Sequence, residues 1–210
     1  HKLHDKLIAR AEKIGLSDYS YSAMPVIFWD FYAKQGHPVR TTITEMGPTL
    51  LARLMNLTEA QEGIMTIAFE LADDENMLLL DLKDLRALLN YLSDHRDEIG
   101  RKYGNVTTQS VAAIHRSLLT LEREGAEEFF GEPALKLKDL MRVHQGTPDA
   151  DGDADTLSLD DLDGAHLKGR GMVSVLAADK LINSPKLYST FLLWLLSELF
   201  EELPEVGNPD

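Results

Sequence analysis

The sequence predicts an α-rich α/β fold with few strands. From Glu45 to Val143, one segment after another carries apolar residues at the three- and four-residue spacing of an amphipathic helix. Three short runs rich in β-branched, aromatic or aliphatic residues predict strands at residues 25–32, 39–43 and 172–177. A long and nearly all-apolar helix is predicted directly after the last strand. A strand followed by such a helix is half of a parallel β-α-β unit.

The composition limits the class of protein. With 210 residues, 44% of them hydrophobic, the chain can bury the core of one domain or one and a half. It has no cysteine, which excludes disulfides, thiolate metal sites and a cysteine nucleophile. No stretch resembles a signal peptide or reaches the ~20 apolar residues of a membrane span. We therefore expect a cytoplasmic protein with no membrane partner.

The net charge of −14 is unevenly distributed. Half of it comes from seven aspartates between residues 149 and 163, a stretch without Lys or Arg. A broad basic surface is therefore not expected, although such surfaces hold most proteins on nucleic acid. The composition disfavours direct DNA binding by this chain.

The N-terminal helix is predicted over residues 2–14, where apolar residues recur at helical spacing and Gly15 ends the helix. His1 and His4 have the spacing of neighbours on a helix. Without a third ligand or a carboxylate nearby they would make a poor zinc site, and a frayed terminus explains them better.

The two following strands are separated by a turn at Gln35-Gly36-His37-Pro38. This pattern predicts a hairpin or a pair of adjacent strands. Asp30 lies in the first strand and points opposite to its aromatic neighbours. A hydrogen-bonded position at the rim explains this aspartate better than a catalytic role does.

The region from residue 45 to residue 144 predicts a helical subdomain of bundle type. Its helices are predicted at residues 45–55, from Thr58 to about residue 72, from Asp81 to before Gly100, from Thr107 to Gly125, and in a shorter stretch carrying Leu137, Leu140 and Met141. No block recurs at a fixed period, so a solenoid is not expected. The acidic loops Asp73-Asp74-Glu75 and Asp81 with Asp84 could in principle hold a metal, but solvated surface and helix caps explain them better.

Residues 145–168 predict an acidic, disordered linker, because the segment has little to bury and many like charges. An alternative is a calcium loop, since aspartates occupy its positions 1, 3, 5, 7 and 12 between Asp149 and Asp160. Against it, Ala154 stands where the loop needs glycine, the twelfth residue is Asp instead of Glu, and the flanking helix is missing.

The C-terminal part, residues 169–210, combines a strand and a helix that both need neighbours. The run MVSVLA at residues 172–177 is apolar without alternation, as in a strand buried on both faces of a parallel sheet. The helix has Ser184 as N-cap and Pro185 at its first position, and it ends at Pro204. Its polar stripe is thin, so several of its faces should be covered. No second parallel strand follows, and we expect this pair to belong to a larger sheet.

The chain contains no complete catalytic motif. It lacks GxxxxGK[ST], GxGxxG after a strand, GxSxG and HExxH. The remaining histidines have no serine or carboxylate at a spacing that would indicate a catalytic site; they are His37, His95, His115, His144 and His166. The sequence therefore predicts no catalytic, cofactor-binding or metal-binding residue.

Three long tracts resemble bacterial HerA-like P-loop ATPases, the group with a helicase HerA-like C-terminal domain. The tracts are ITEMGPTLLARLMNLTEAQEGIMTIAFELADDENMLLLDLKDLRALL (43–89), YGNVTTQSVAAIHRSLLTLEREGAEEFFGEPAL (103–135) and GRGMVSVLAADKLINSPKLYSTFLLWLLSELFEELPEVG (169–207). The resemblance covers nearly the whole chain except the acidic linker, which resembles an insertion.

The resemblance implies a RecA-like core with a large helical insertion. Residues 1–44 and 169–210 would belong to the core, and residues 45–144 would be the insertion. In this family the Walker A loop precedes the region corresponding to this chain and the Walker B strand follows it. ATP and Mg²⁺ are thus implied for the parent protein, but no nucleotide-binding residue of the family falls on a position here, and the segment alone should be inactive.

Three functions follow as hypotheses. The first is a segment of an ATP-dependent DNA translocase or helicase-type motor that self-associates into a ring or another oligomer. The second is a non-enzymatic helical protein-interaction module, which a complete sheet within the chain would favour. The third is a calcium-responsive regulator, which a flat calcium titration of residues 149–160 would exclude.

Overall fold

A computed structural model describes residues 2–16, 19, 24–143 and 169–203. The helices in these residues are α1 Lys2–Lys13, α2 Ile43–Met55, α3 Glu59–Asp74, α4 Leu82–Asp94, α5 Arg96–Lys102, α6 Thr108–Arg123, α7 Leu137–Leu140 and α8 Pro185–Glu202. The strands are β1 Val26–Asp30, β2 His37–Pro38 and β3 Val173–Ala177, and 3₁₀ turns lie at Ala126–Glu128 and Leu181–Asn183. The α-rich α/β class is confirmed. The acidic linker and its calcium-loop alternative lie outside the described residues.

The chain divides into two compact units. The first combines His1–Val26 with Met141–Val173, and the second combines Ile27–Leu140 with Ser174–Asp210. In the first unit α1 is followed by Gly15, which has a φ of 76°. This confirms the prediction that Gly15 ends the helix. Val143 and Gly171 form an antiparallel bridge there, and the Val173 amide donates to the carbonyl of Pro25 at 2.8 Å. The predicted four-part division of the chain stays a prediction.

The sheet has three parallel strands in the order β2-β1-β3. β1 pairs with β2 in parallel, with Trp29 opposite His37 and Asp30 opposite Pro38. The hairpin alternative is therefore wrong, and β2 lies on residues that were predicted to be a turn. A parallel pair joined by a six-residue connection is unusual, since such pairs ordinarily need a crossover of about a dozen residues or more.

The strand predicted at residues 39–43 is wrong, although its β-branched residues favour one. Thr42 instead caps α2, because its hydroxyl accepts from the Glu45 amide at 3.1 Å and the Glu45 carboxylate accepts from the Thr42 amide at 3.0 Å. The backbone before it pairs elsewhere: the Thr41 amide donates to Phe129 at 2.9 Å and Gly131 donates back to Thr41. The capping box therefore starts a helix at Ile43.

Gly36 makes the close approach of β2 to β1 sterically feasible. A β-carbon placed on Gly36 would lie 2.5 Å from the carbonyl oxygen of Phe28 and 2.9 Å from the amide nitrogen of Trp29. These are backbone atoms of the neighbouring strand, which cannot rotate away. Any side chain at this position must therefore push the two strands apart.

We predict that Gly36→Ala lowers the free energy of unfolding by about 2 kcal/mol, the usual cost of overpacking. Gly63→Ala is the matched control, because Gly63 lies inside α3 with open space around it. There the same substitution should stabilise by about 1 kcal/mol through helix propensity. Urea unfolding of both variants measures the change in the free energy of unfolding, which should be negative for Gly36→Ala and positive for Gly63→Ala. Equal changes would show that a β-carbon at Gly36 causes no strain.

The helices predicted in the middle of the chain are confirmed, with their caps. Asp81 accepts from the amides of Lys83 and Asp84 at the start of α4, and Thr107 accepts from Ser110 at the start of α6. Three details differ from the prediction. A separate short helix, α5, contains Gly100; α3 extends through Asp74; and Gly47 interrupts α2 with a φ of 72° before Pro48.

The core of the second unit is formed by α2, α3, α4, α6 and α8. α2 packs against α3, α6 and α8, and α6 packs against α3 and α4. Four buried aromatic side chains join these helices to the sheet at one point; they are Phe31, Phe129, Phe191 and Trp194. Phe129 stacks on Phe31 at 4.7 Å between ring centroids and contacts Trp194 edge-on at 5.5 Å.

The strand and helix at the C-terminal end are confirmed as β3 and α8, and both carry exposed apolar side chains in the described residues. Val175 in β3 is 38% exposed, and Phe200 in α8 is 88% exposed. Ser184 lies at the N-cap without a side-chain hydrogen bond, whereas Pro185 occupies the first turn as predicted. Among the residues that the structure describes, no helix is long and apolar enough to cross a bilayer.

Candidate functional site

The carboxyl ends of β1 and β3 form the part of the second unit where a ligand site is expected, since parallel α/β sheets bind ligands at that edge. β1 ends at Asp30, and the residues Asp179 and Lys180 come shortly after the end of β3. The Gln35 amide nitrogen Nε2 reaches the Asp179 carboxylate at 3.4 Å, which connects the two loops. The sequence analysis does not identify Gln35, Asp179 and Lys180; the available signal is that they are polar residues in the loops that follow two apolar strands.

Asp30 organises the loop between β1 and β2. Its side chain accepts the amide of Tyr32 on Oδ1 at 2.9 Å and the amides of Lys34 and Gln35 on Oδ2, each at 2.7 Å. The residue is only 4% exposed. The prediction of a hydrogen-bonded structural role is confirmed, although Asp30 is buried and not at a solvated rim.

The ionised form of Asp30 is favoured in the folded protein. Burial acts to raise the pKa, but the three backbone N–H groups and the positive charge of Lys180 outweigh it, so the pKa of Asp30 lies below its ordinary value. Because both carboxylate oxygens are already engaged, Asp30 is poorly placed to ligate a metal or to take a proton. Its role here is to fix the loop that carries Gln35.

The described residues at this edge are polar. Lys180 and Asp179 are exposed there, on the loop that follows β3. Within residues 2–16, 19, 24–143 and 169–203, no group of three or more His, Asp or Glu could hold a metal ion. That the chain supplies no catalytic, cofactor or metal residue stays a prediction.

The histidines in the described part of the chain lie in separate places. His37 packs beside Trp29 at 5.9 Å between ring centroids, and His95 stacks on Tyr91 at 4.1 Å. His115 lies half-buried on α6, where burial and the charge of Arg86 lower its pKa. The structure brings none of these three together. His1, His144 and His166, and the side chain of His4, lie outside the description.

One face of the sheet carries exposed apolar side chains and is open as far as the described residues extend. Ile27 and Trp29 in β1 face the core, so Phe28, which is 53% exposed, points to the opposite side. In β3, Leu176 lines the same small cavity as Trp29, which places Val175 on the open side with Phe28. The C-terminal half of α8 is a further uncovered surface, with Leu193, Leu196 and Phe200 exposed.

A sequence model of the family described as helicase HerA-like C-terminal matches residues 1–152 and residues 144–210. The two matches together extend over the whole chain, and they overlap at the start of the acidic segment. This match confirms the resemblance found in the three long tracts. No curated protein and no solved structure matches the chain.

Proposed function

Because the chain belongs to the helicase HerA-like C-terminal family, we propose that it works as part of an ATP-dependent motor of the translocase or helicase type that acts on DNA. The chain contributes strands to a RecA-like core and a helical insertion that packs against other subunits of a ring. ATP and Mg²⁺ are bound by the parent protein through a Walker A loop and a Walker B strand that these 210 residues do not contain.

The open apolar face of the parallel sheet is the observation that carries this proposal. Parallel sheets occur almost only with both faces covered, because β-α-β crossovers place helices on each side. Here Phe28 and Val175 face outwards, and β3 is an edge strand of the described sheet. A sheet that continues beyond β3 and is covered by further helices fits a P-loop motor core.

The alternative of a self-contained interaction module is less well supported. Such a module would cover its own sheet and its own apolar helix, whereas Val175 and Phe200 are exposed. In the proposed motor, DNA is contacted by other parts of the parent protein, because the acidic balance of this chain disfavours direct binding to phosphates.

The activity test compares this chain with a longer protein from the same reading frame. Purified 210-residue protein should show no ATP hydrolysis and no tight ATP binding, with or without duplex DNA. The longer protein should carry GxxxxGKT upstream and an apolar strand ending in Asp-Glu downstream, and its DNA-stimulated hydrolysis should be lost when the P-loop lysine is changed to alanine. Hydrolysis by the 210-residue chain, or a longer reading frame without these motifs, would contradict the proposal.

We predict that Phe200→Ala has different effects in the two proteins. In the 210-residue chain it should change the free energy of unfolding by less than about 0.5 kcal/mol, because the ring is already in water. In the longer protein the same substitution should destabilise by about 3 kcal/mol, because the ring would then be buried. Thermal and urea unfolding measure both values. Equal, small effects in both proteins would show that Phe200 stays uncovered in the longer protein.

A further inference from the structure

The connection between α3 and α4 presents apolar side chains on a fixed backbone. Leu78 is 72% exposed, and Met77 and Tyr91 beside it are also exposed. The backbone under them is held at both ends: the Met77 amide donates to the carbonyl of Ala72 at 2.7 Å, and the Leu79 amide donates to the Thr44 hydroxyl at 2.9 Å. Leu78 is therefore positioned as a ridge and not as part of a loose loop.

A cavity lies on each side of this ridge. The larger one, of about 780 Å³, lies between the end of α3 and α4, and its buried floor includes Leu71 and Leu88. The smaller one, of about 460 Å³, lies between α3 and the start of α2, with Pro48 and Phe69 in its wall. We call the two cavities together with the ridge the Leu78 groove.

The rim of the Leu78 groove is negatively charged. Glu75 and Asp84 line the larger cavity, and Glu70 and Asp73 line the smaller one. Among the residues described by the structure, no Lys or Arg lines either cavity. An apolar floor surrounded by four carboxylates is complementary to a surface that is apolar in its centre and basic around it.

We propose that the Leu78 groove binds a basic amphipathic helix of a partner protein. Apolar side chains three or four residues apart on such a helix would enter the two cavities on either side of Leu78, and its lysines or arginines would meet the carboxylates at the rim. Met77 suits this role, because an unbranched thioether side chain adapts its shape to the side chains that pack on it. The proposal does not depend on the motor function, since the groove is formed entirely by α2, α3, α4 and their connections.

A fluorescein-labelled synthetic peptide tests the proposal. It consists of leucine and lysine, about 15 residues long so that a helix can form, with leucines on one face. A second peptide of the same composition has its leucines distributed over all faces. Fluorescence anisotropy with the 210-residue protein should show saturable binding of the first peptide, and binding of the second should be at least about tenfold weaker.

Two variants with matched controls locate the binding surface. Leu78→Gln removes the ridge and should weaken binding of the amphipathic peptide about tenfold, whereas Leu119→Gln, on an exposed leucine of α6, should leave it unchanged. Glu75→Lys should weaken binding to a similar extent, and Glu127→Lys changes the net charge equally at a site outside both cavities. Glu75 caps the C-terminal end of α3, where a cation is favourable, so this variant is expected to fold. Circular dichroism checks folding of all four variants.

Three results would overturn the proposal. The first is equal binding of the two peptides, which would show only attraction to an acidic protein. The second is binding that Leu119→Gln and Glu127→Lys weaken as much as the groove variants do. The third is an oligomer in light scattering that Leu78→Gln dissociates, together with no peptide binding, which would assign the groove to a second copy of this chain.

Discussion

Replacing Phe129 by alanine is expected to lower the free energy of unfolding by about 4 kcal/mol. Phe129 is 1% exposed, and its ring contacts Phe31, Phe130, Phe191 and Trp194 at centroid distances between 4.7 and 5.9 Å. The substitution removes the burial of a large ring and leaves a cavity where the sheet, the 126–130 segment and α8 meet. The lost aromatic contacts are part of this total.

Urea unfolding followed by tryptophan fluorescence measures this effect directly, because Trp194 lies against Phe129. Phe28→Ala is the control of the same residue type, and it should cost about 1 kcal/mol or less in this chain, since the ring faces solvent on the open side of the sheet. Similar losses for the two variants would show that Phe129 is not the centre of the core.

Replacing Asp30 by alanine should destabilise the protein by about 3 kcal/mol at neutral pH, because three backbone N–H groups lose a charged acceptor. Asp30→Asn should recover only part of this loss. The single amide oxygen of asparagine can accept either from Tyr32 or from Lys34 and Gln35, and its NH₂ group then faces the remaining donors.

The pH dependence gives an independent test of the same contacts. The folded pKa of Asp30 lies below its ordinary value of 3.8, so the carboxylate contributes stability above that pH, and the contribution is lost as the pH falls through the folded pKa. The difference in unfolding free energy between the wild-type protein and Asp30→Asn should therefore shrink between pH 6 and pH 3. A difference that stays constant would mean that the ionised form is not what the loop requires.

The helices could be predicted because their determinants are local in sequence. Asp81 and Thr107 lie directly before the turns that they cap, and the leucines of α4 recur at helical spacing. Gly15 ends α1 because glycine readily adopts the positive φ angle that stops the helix, which depends on this residue alone. The strand predicted at residues 39–43 does not form, because the Thr42 to Glu45 capping box, which is equally local, outweighs the β propensity of the β-branched residues.

The carboxyl edge of the sheet could not be predicted in the same way. Gln35 and Asp179 are separated by 144 positions and meet only because β1 and β3 are neighbours in the sheet. Nothing in the sequence around Asp30 shows that its carboxylate accepts hydrogen bonds from three backbone amides of the loop that follows it. The Leu78 groove is a similar case, because Pro48, Phe69 and Tyr91 line its cavities from three different helices.

The sequence by itself determined the family, the α-rich α/β class and most helix boundaries of this protein. These properties depend on long matching tracts and on interactions between residues within one helical turn of each other. Only the tertiary structure decided that β1 and β2 are parallel, that one face of the sheet is open and that Leu78 forms a ridge between two acidic cavities. The physical reason is that strand pairing, exposure and cavities depend on contacts between residues far apart in the chain, for which the local sequence contains no direct signal.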